Sequence, residues 1–175
     1  MRNAADRPAQ VAVRLPREVE RDPRHGTVLR VLAADSRRLW PGAILEAPVV
    51  PLTAELRAAL GNPAVRGALV RGLEAAQSAL AGEARGLAAS PAAAPEPRVS
   101  RLLLAANDGA ERLYRQIERL AREHAPRVLV CLLDVPSATL GELLFGPGAA
   151  AKVVLTSHKD AVTRLLLALA PPAKS

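Results

Sequence analysis

Three apolar runs, two of them unbroken, mark the second half of the chain. They are Leu102-Leu103-Leu104-Ala105-Ala106, Val128-Leu129-Val130-Cys131-Leu132-Leu133, and the stretch 150–155 ending in Val153-Val154-Leu155. A run of this length without polar alternation is the pattern of a strand buried on both faces, so strands are predicted over 101–106, 128–133 and 150–155. Between the first two, Leu113, Ile117 and Leu120 recur at helical spacing and predict a helix over 110–123, entered through Asn107-Asp108-Gly109. A shorter helix is predicted over 136–145 and a last one over about 159–170. Strands alternating with helices through short loops predict an α/β chain folded as a three-layer α/β/α sandwich around a small mixed sheet.

The first half is less regular. A helix is predicted over 53–60, stopped by Gly61-Asn62-Pro63, and a second over 65–81, where Leu69, Leu73, Ala76 and Leu80 keep helical spacing. Further upstream, the apolar runs Val28-Leu29-Arg30-Val31-Leu32 and Ala43-Ile44-Leu45 flank Trp40-Pro41-Gly42, the pattern of a hairpin or a packed extension. Residues 1–25 are charged and contain Pro8, Pro16 and Pro23, which reads as a mobile basic arm. Residues 26–62 form an extension without an assigned structure, and 63–172 the main domain. Within that domain, 86–100 is rich in small residues and proline and reads as an inserted linker.

Charge changes this picture most. The 175 residues carry a formal charge of +7, and only three of the 24 basic residues are lysine. Residues 1–40 hold nine arginines against five acids, so a net +4 precedes a nearly balanced remainder. A basic arm on a balanced domain is a common nucleic-acid arrangement, and arginine forks suit phosphate well. With Trp40, Tyr114 and Phe145 as the three aromatics, recognition is expected to rest on charge, shape and backbone rather than on base stacking. No run reaches the roughly 18 apolar residues of a membrane span. The single cysteine excludes a disulfide framework within the chain, and the N-terminus lacks a secretory apolar region, so a reducing compartment is expected.

Candidate chemistry is sparse. Ser157 and Asp160 have the spacing of a capping box ahead of the last helix. His25, His124 and His158 are scattered without metal-ligand spacing, and no metal or other cofactor is expected. Cys131 lies in mid-strand, where it reads as a small buried hydrophobe. The stretch 141–148 lacks the lysine and hydroxyl of a phosphate loop. No enzyme is therefore expected. Arg112, Arg115, Arg119 and Arg122 make one helical stripe; Glu111 lies four before Arg115 and Glu118 four before Arg122, which favours a self-neutralised solvated face.

Three motifs, taken in order, carry a resemblance. Gly72-Leu73-Glu74-Ala75-Ala76-Gln77-Ser78-Ala79-Leu80 keeps the glycine and leucine of a helix-opening pattern. Leu103-Leu104-Ala105-Ala106-Asn107-Asp108 has the form of an apolar strand ending in a small residue and aspartate. Val135-Pro136-Ser137-Ala138-Thr139-Leu140-Gly141 matches a strand-to-helix word. Over residues 65–170 these resemble the kink-turn RNA-binding ribosomal-protein family. That family also includes box C/D and H/ACA particle proteins, bacterial ribosomal paralogues and a subunit of ribonuclease P and ribonuclease MRP.

The resemblance implies a non-catalytic RNA-binding subunit of a ribonucleoprotein particle, with structured RNA and other protein subunits as partners, and no membrane or small-molecule substrate. The RNA-binding residues it implies are Arg66, Arg71, Gly72, Glu74, Gln77, Ser78, Gly148 and Lys152. Glu74, Ala75 and Ser78 stand where the family has asparagine, glutamate and lysine; a carboxylate facing phosphate repels it, and the missing lysine removes a phosphate contact. Divergent motifs, an insert before the first strand, an N-terminal extension and the Trp40-Pro41 pair fit the ribonuclease P/MRP branch. A ribosomal protein of the same fold, cytosolic, bacterial or organellar, is the alternative, Glu74 being frequent in the bacterial paralogues. A protein-interaction adaptor that has lost RNA binding is another. The resemblance places the protein in the nucleus or nucleolus if eukaryotic and in the cytoplasm otherwise, with an organelle matrix left open.

Overall fold

The structure, a computed structural model, describes residues 14–90 and 97–170. In chain order the elements are α1 (Arg17–Arg21), α2 (His25–Ala34), β1 (Ser36–Arg38), β2 (Glu46–Val50), α3 (Ala54–Gly61), α4 (Pro63–Arg66), β3 (Leu69–Arg71), α5 (Leu73–Ala89), β4 (Arg101–Ala105), α6 (Glu111–Glu123), β5 (Val128–Leu133), α7 (Ser137–Phe145), β6 (Val153–Thr156) and α8 (Lys159–Leu167). The strands form one mixed sheet in the order β1-β2-β5-β4-β6-β3. β2, β5 and β4 run parallel, while β1, β6 and β3 pair antiparallel to their neighbours.

The three apolar runs are the centre of this sheet. Leu102, Leu104, Leu129, Cys131, Leu133 and Val154 face a layer that includes α1, α2, α3, α4, α7 and α8. The intervening Leu103, Ala105, Val128, Val130, Leu132, Val153 and Leu155 face α5 and α6. Burial on both faces is why these strands do not alternate with polar residues. The molecule is therefore the expected three-layer α/β/α sandwich.

Four local expectations need correction. Residues 14–25, expected within a mobile arm, are built into the core: Leu15 is 2% exposed and Val19 0%, and Arg98 ties the segment down by pairing with Glu20 at 2.8 Å. Residues 1–13 of that arm lie outside the described residues. The predicted helix 65–81 divides into the end of α4, the strand β3 and the start of α5. Gly72, at φ 93°, makes the break between the last two, and β3 takes its extended form from pairing with Val154–Thr156. The insert 86–100 is helical to Ala89, and Val99 is buried with its N–H donating to the Arg14 carbonyl at 2.8 Å; residues 91–96 are outside the description. Finally, α8 is capped by His158, whose Nδ1 accepts the Asp160 N–H at 3.2 Å. The Ser157 hydroxyl instead donates to the Ala68 carbonyl at 2.8 Å, locking β6 to the chain before β3.

The extension also finds its place. Val28 and Leu32, four apart, bury one side of α2, and β1 and β2 form the hairpin that encloses Trp40-Pro41-Gly42. Between α1 and α2, Asp22 accepts hydrogen bonds from the Arg24 guanidinium, 2.9 Å from Nε and 2.9 Å from Nη2, and from the Arg24 N–H at 2.8 Å. Those bonds, the side-chain ones first, lower its pKa from 3.8 to about 2. A depressed carboxylate pKa gives stability that is complete above the unfolded value and lost as pH falls through the folded one. Unfolding titrations should therefore show Asp22 contributing to the acid slope between pH 3.8 and about 2, and Asp22→Asn should flatten that slope. An unchanged slope in the variant would mean the Asp22–Arg24 bonds are not kept in solution.

Candidate nucleic-acid interface

The topology brings one set of chain ends together. β4 and β5 finish at the same rim of the sheet, antiparallel β6 begins there, and β3 ends there. The rim thus gathers Arg71 and Gly72, the start of α5, the turn Asn107-Asp108-Gly109, the start of α7 and the loop 146–152. At Gly72 the N–H donates to the Val153 carbonyl at 2.9 Å, seating the opening of α5 beside Lys152. The three glycines in the left-handed region, Gly72, Gly146 and Gly148, all lie here, at φ 93°, 98° and 79°. A side chain at such a φ is strained, so these positions keep the backbone bare.

Arginines fix the loop. Arg71 donates from Nη2 to the Ala150 carbonyl at 2.8 Å, with its guanidinium 4.6 Å over the Phe145 ring. Arg66 donates to the Leu144 and Leu143 carbonyls at 2.8 and 3.2 Å, satisfying the last turn of α7 from behind. From the other end, Gly141 lets α7 touch the loop backbone: a Cβ there would lie 2.3 Å from the Ala150 Cα. Asp108 anchors α7 at its start, accepting from the Ser137 N–H and hydroxyl at 2.9 Å each. Desolvation pushes the Asp108 pKa up, but the Ser137 hydrogen bonds and the Lys152 charge together hold it below 3.8.

Of the eight expected RNA-binding residues, Arg71, Gly72, Gly148 and Lys152 are brought together at this rim. Glu74 is exposed in the first turn of α5, and Gln77 and Ser78 are exposed about a turn further on. Arg66 belongs to the opposite layer and holds α7, so its carbonyl bonds define its part. The helix N-terminus at Leu73 has no side-chain cap, and its positive end is opposed by Glu74. The cations at the rim are Lys152, which faces the Asp108 carboxylate, and Arg71, whose Nη2 is taken by the Ala150 carbonyl.

Sequence reasoning missed two contacts. The Asp108–Ser137 clasp joins the second and third motifs, whose adjacency in space only the parallel β4–β5 pairing supplies. The other lies on α6, where Glu118 is 6% exposed and accepts the Leu45 N–H at 2.9 Å. That carboxylate was expected to neutralise Arg122, and no spacing along α6 signals a partner 73 residues away. Chemistry is otherwise quiet. Cys131 is fully buried and its pKa is pushed up to about 12, so its thiol is not activated. Among the described residues no group of three His, Cys, Asp or Glu is placed to hold a metal, and no helix is long and apolar enough to cross a membrane. No protein-family model matches the chain, and no curated protein matches it in sequence.

Proposed function

We propose that this protein is a non-catalytic RNA-binding subunit of a ribonucleoprotein particle, meeting structured RNA at the rim formed by the start of α5 and the loop 146–152. The observation that carries the reading is the construction of that loop. Gly146 and Gly148 leave its backbone bare at two positions, Arg71 holds it at Ala150 while Arg66 holds the end of α7 that leads into it, and Lys152 stands exposed at its end. A loop of glycine, proline and alanine next to a cation suits close approach to a sugar-phosphate chain. Order and spacing of the three family-like motifs support the same reading. Within it the ribonuclease P/MRP branch is preferred, and any catalysis in such a particle belongs to its RNA.

Recovery of RNA with the tagged protein at moderate salt, followed by sequencing, tests the class. One enriched structured RNA supports the proposal and names the particle, whether ribonuclease P/MRP or ribosome. Enrichment of proteins with RNA at background overturns it in favour of the adaptor, whose support is Glu74 and Ser78 in place of asparagine and lysine.

The rim itself is tested by Lys152→Gln in a gel-shift titration with a kink-turn RNA. Binding should weaken several-fold, and the slope of log affinity against log salt should fall by about 1, as removal of one phosphate contact requires. Unaltered affinity and slope would remove the loop from the interface. Glu74→Asn with Ser78→Lys should tighten the same complex.

A further inference from the structure

The arginine stripe of α6 is less fully paired than its spacing suggests, although Glu111, Glu118 and Glu123 share the helix with its four arginines. Glu111 does pair with Arg115, at 3.5 Å, but Glu118 is withdrawn into the fold by the Leu45 N–H. Arg112, Arg119 and Arg122 are exposed and have no hydrogen bond or ion pair among the described residues. Beside them, an open groove of about 710 Å³ is lined by Trp40, Arg115, Glu118, Arg119, Arg122 and Glu123. The hairpin loop is shaped to make this groove. The Trp40 ring lies on Gly42, where a Cβ would be 2.2 Å from Cζ3. On the indole sits the Arg115 guanidinium, 4.6 Å from the ring centroid. Stacking on Trp is a favourable way to hold a guanidinium in place, and Glu111 pairs with it from the side.

From Arg112 to Arg122 the stripe runs about 15 Å down the outer face of α6, its members about 5–6 Å apart. It begins near the rim and passes the Trp40 ring at Arg115, with the Leu45 N–H on Glu118 about a turn further on. Counted across the sheet, Trp40 belongs to the β1–β2 edge and the rim loop to the β6–β3 edge, roughly 20 Å apart at the usual strand spacing. The groove offers no apolar anchor beyond an indole already covered by Arg115. Interfaces between proteins exclude charge from their centres, whereas nucleic-acid interfaces are polar and strongly positive.

We propose that α6 and the Trp40 loop form a second RNA-facing surface, gripping the sugar-phosphate backbone of a double-stranded stem that leaves the rim. It rests on the RNA-binding reading above and adds to it a duplex partner read by shape and charge.

The test uses the whole protein and a blunt, mixed-sequence RNA duplex with no internal loop. Trp40 is the only tryptophan, so its emission reports on this groove and not on the rim. Adding duplex should change Trp40 emission, and the double variant Arg119→Gln, Arg122→Gln should weaken duplex binding about fivefold or more at low salt while lowering the salt slope by about 2. Both side chains are exposed and unpartnered, so the thermal transition should stay where it is. Wild-type slope and affinity in the double variant would overturn the inference, making the stripe a solvated face. Poly-L-glutamate competing as well as the duplex, and losing as much on substitution, would also overturn it by making the partner an acidic polypeptide. If kink-turn RNA binding depends on Lys152 while α6 changes nothing, this surface alone fails. If neither RNA binds the wild type, the RNA-binding reading falls first.

Discussion

Replacing Gly141 by alanine is expected to cost about 3 kcal/mol and lower the Tm by roughly 6–12 °C, the effect of forcing one methyl into a packed backbone contact. The added Cβ would lie 2.3 Å from the Ala150 Cα, 2.5 Å from the Ala149 carbonyl oxygen and 2.5 Å from the Ala150 carbonyl carbon. None of these atoms ends a flexible side chain, so relief needs movement of α7 or of the loop. The loop is also held by Arg71 at Ala150 and by the Ala151 N–H on the Ser137 carbonyl at 2.9 Å, so its displacement disturbs both. The proposed RNA binding should fall with stability. Gly86→Ala is the control: within α5 nothing meets its Cβ within 4 Å, and alanine there should be neutral or stabilising by about 0.5–1 kcal/mol. Equal Tm values for the two variants would show that α7 and the loop are not in the described contact.

Glu83→Ala is expected to cost about 2–3 kcal/mol, because it leaves two poorly solvated cations facing one another. Its carboxylate takes Arg101 Nε at 2.9 Å and Arg127 Nη2 at 2.6 Å, with the two guanidinium side chains only 18% and 16% exposed. Arg101 opens β4 and Arg127 precedes β5, so the acid on α5 clamps the first residues of the two central strands from above. Urea unfolding in low and high salt measures both parts of the effect. Part of the loss should return in high salt, where repulsion between the orphaned arginines is screened. A loss below about 0.5 kcal/mol would place these pairs with ordinary surface ion pairs.

Sequence alone carried the centre of the molecule and thinned towards its edges. β4, β5 and β6 were legible because burial on both faces writes a run of Leu and Val that needs no partner to interpret. α6 was legible because Leu113, Ile117 and Leu120 repeat its turn. β3 was not: Leu69 stands four before Leu73, as a helix would have it, and only the β6 strand it pairs with makes Leu69–Arg71 extended. Residues 14–25 were misread because their prolines and charges outweighed two buried side chains, Leu15 and Val19. Val28 and Leu32 did carry a helical signal in α2, but too brief a one beside Trp40-Pro41-Gly42. Of the residues expected at the candidate site, Arg71, Gly72, Gly148 and Lys152 lie at one rim, where the β3–β6 and β4–β6 pairings bring them. The motifs said nothing of Arg66 capping α7 or of Glu118 turning inward, since both depend on groups 73 or more residues away.

The sheet closes at each side on a three-residue strand, β1 and β3, and both carry exposed arginine: Arg37 and Arg38 on one, Arg71 on the other. A short, cationic border is a poor template for another chain. Two copies meeting border to border would bring like charges together over too few backbone pairs to compensate. The same residues that enrich the molecule in positive charge therefore also guard its apolar centre against growth into larger sheets.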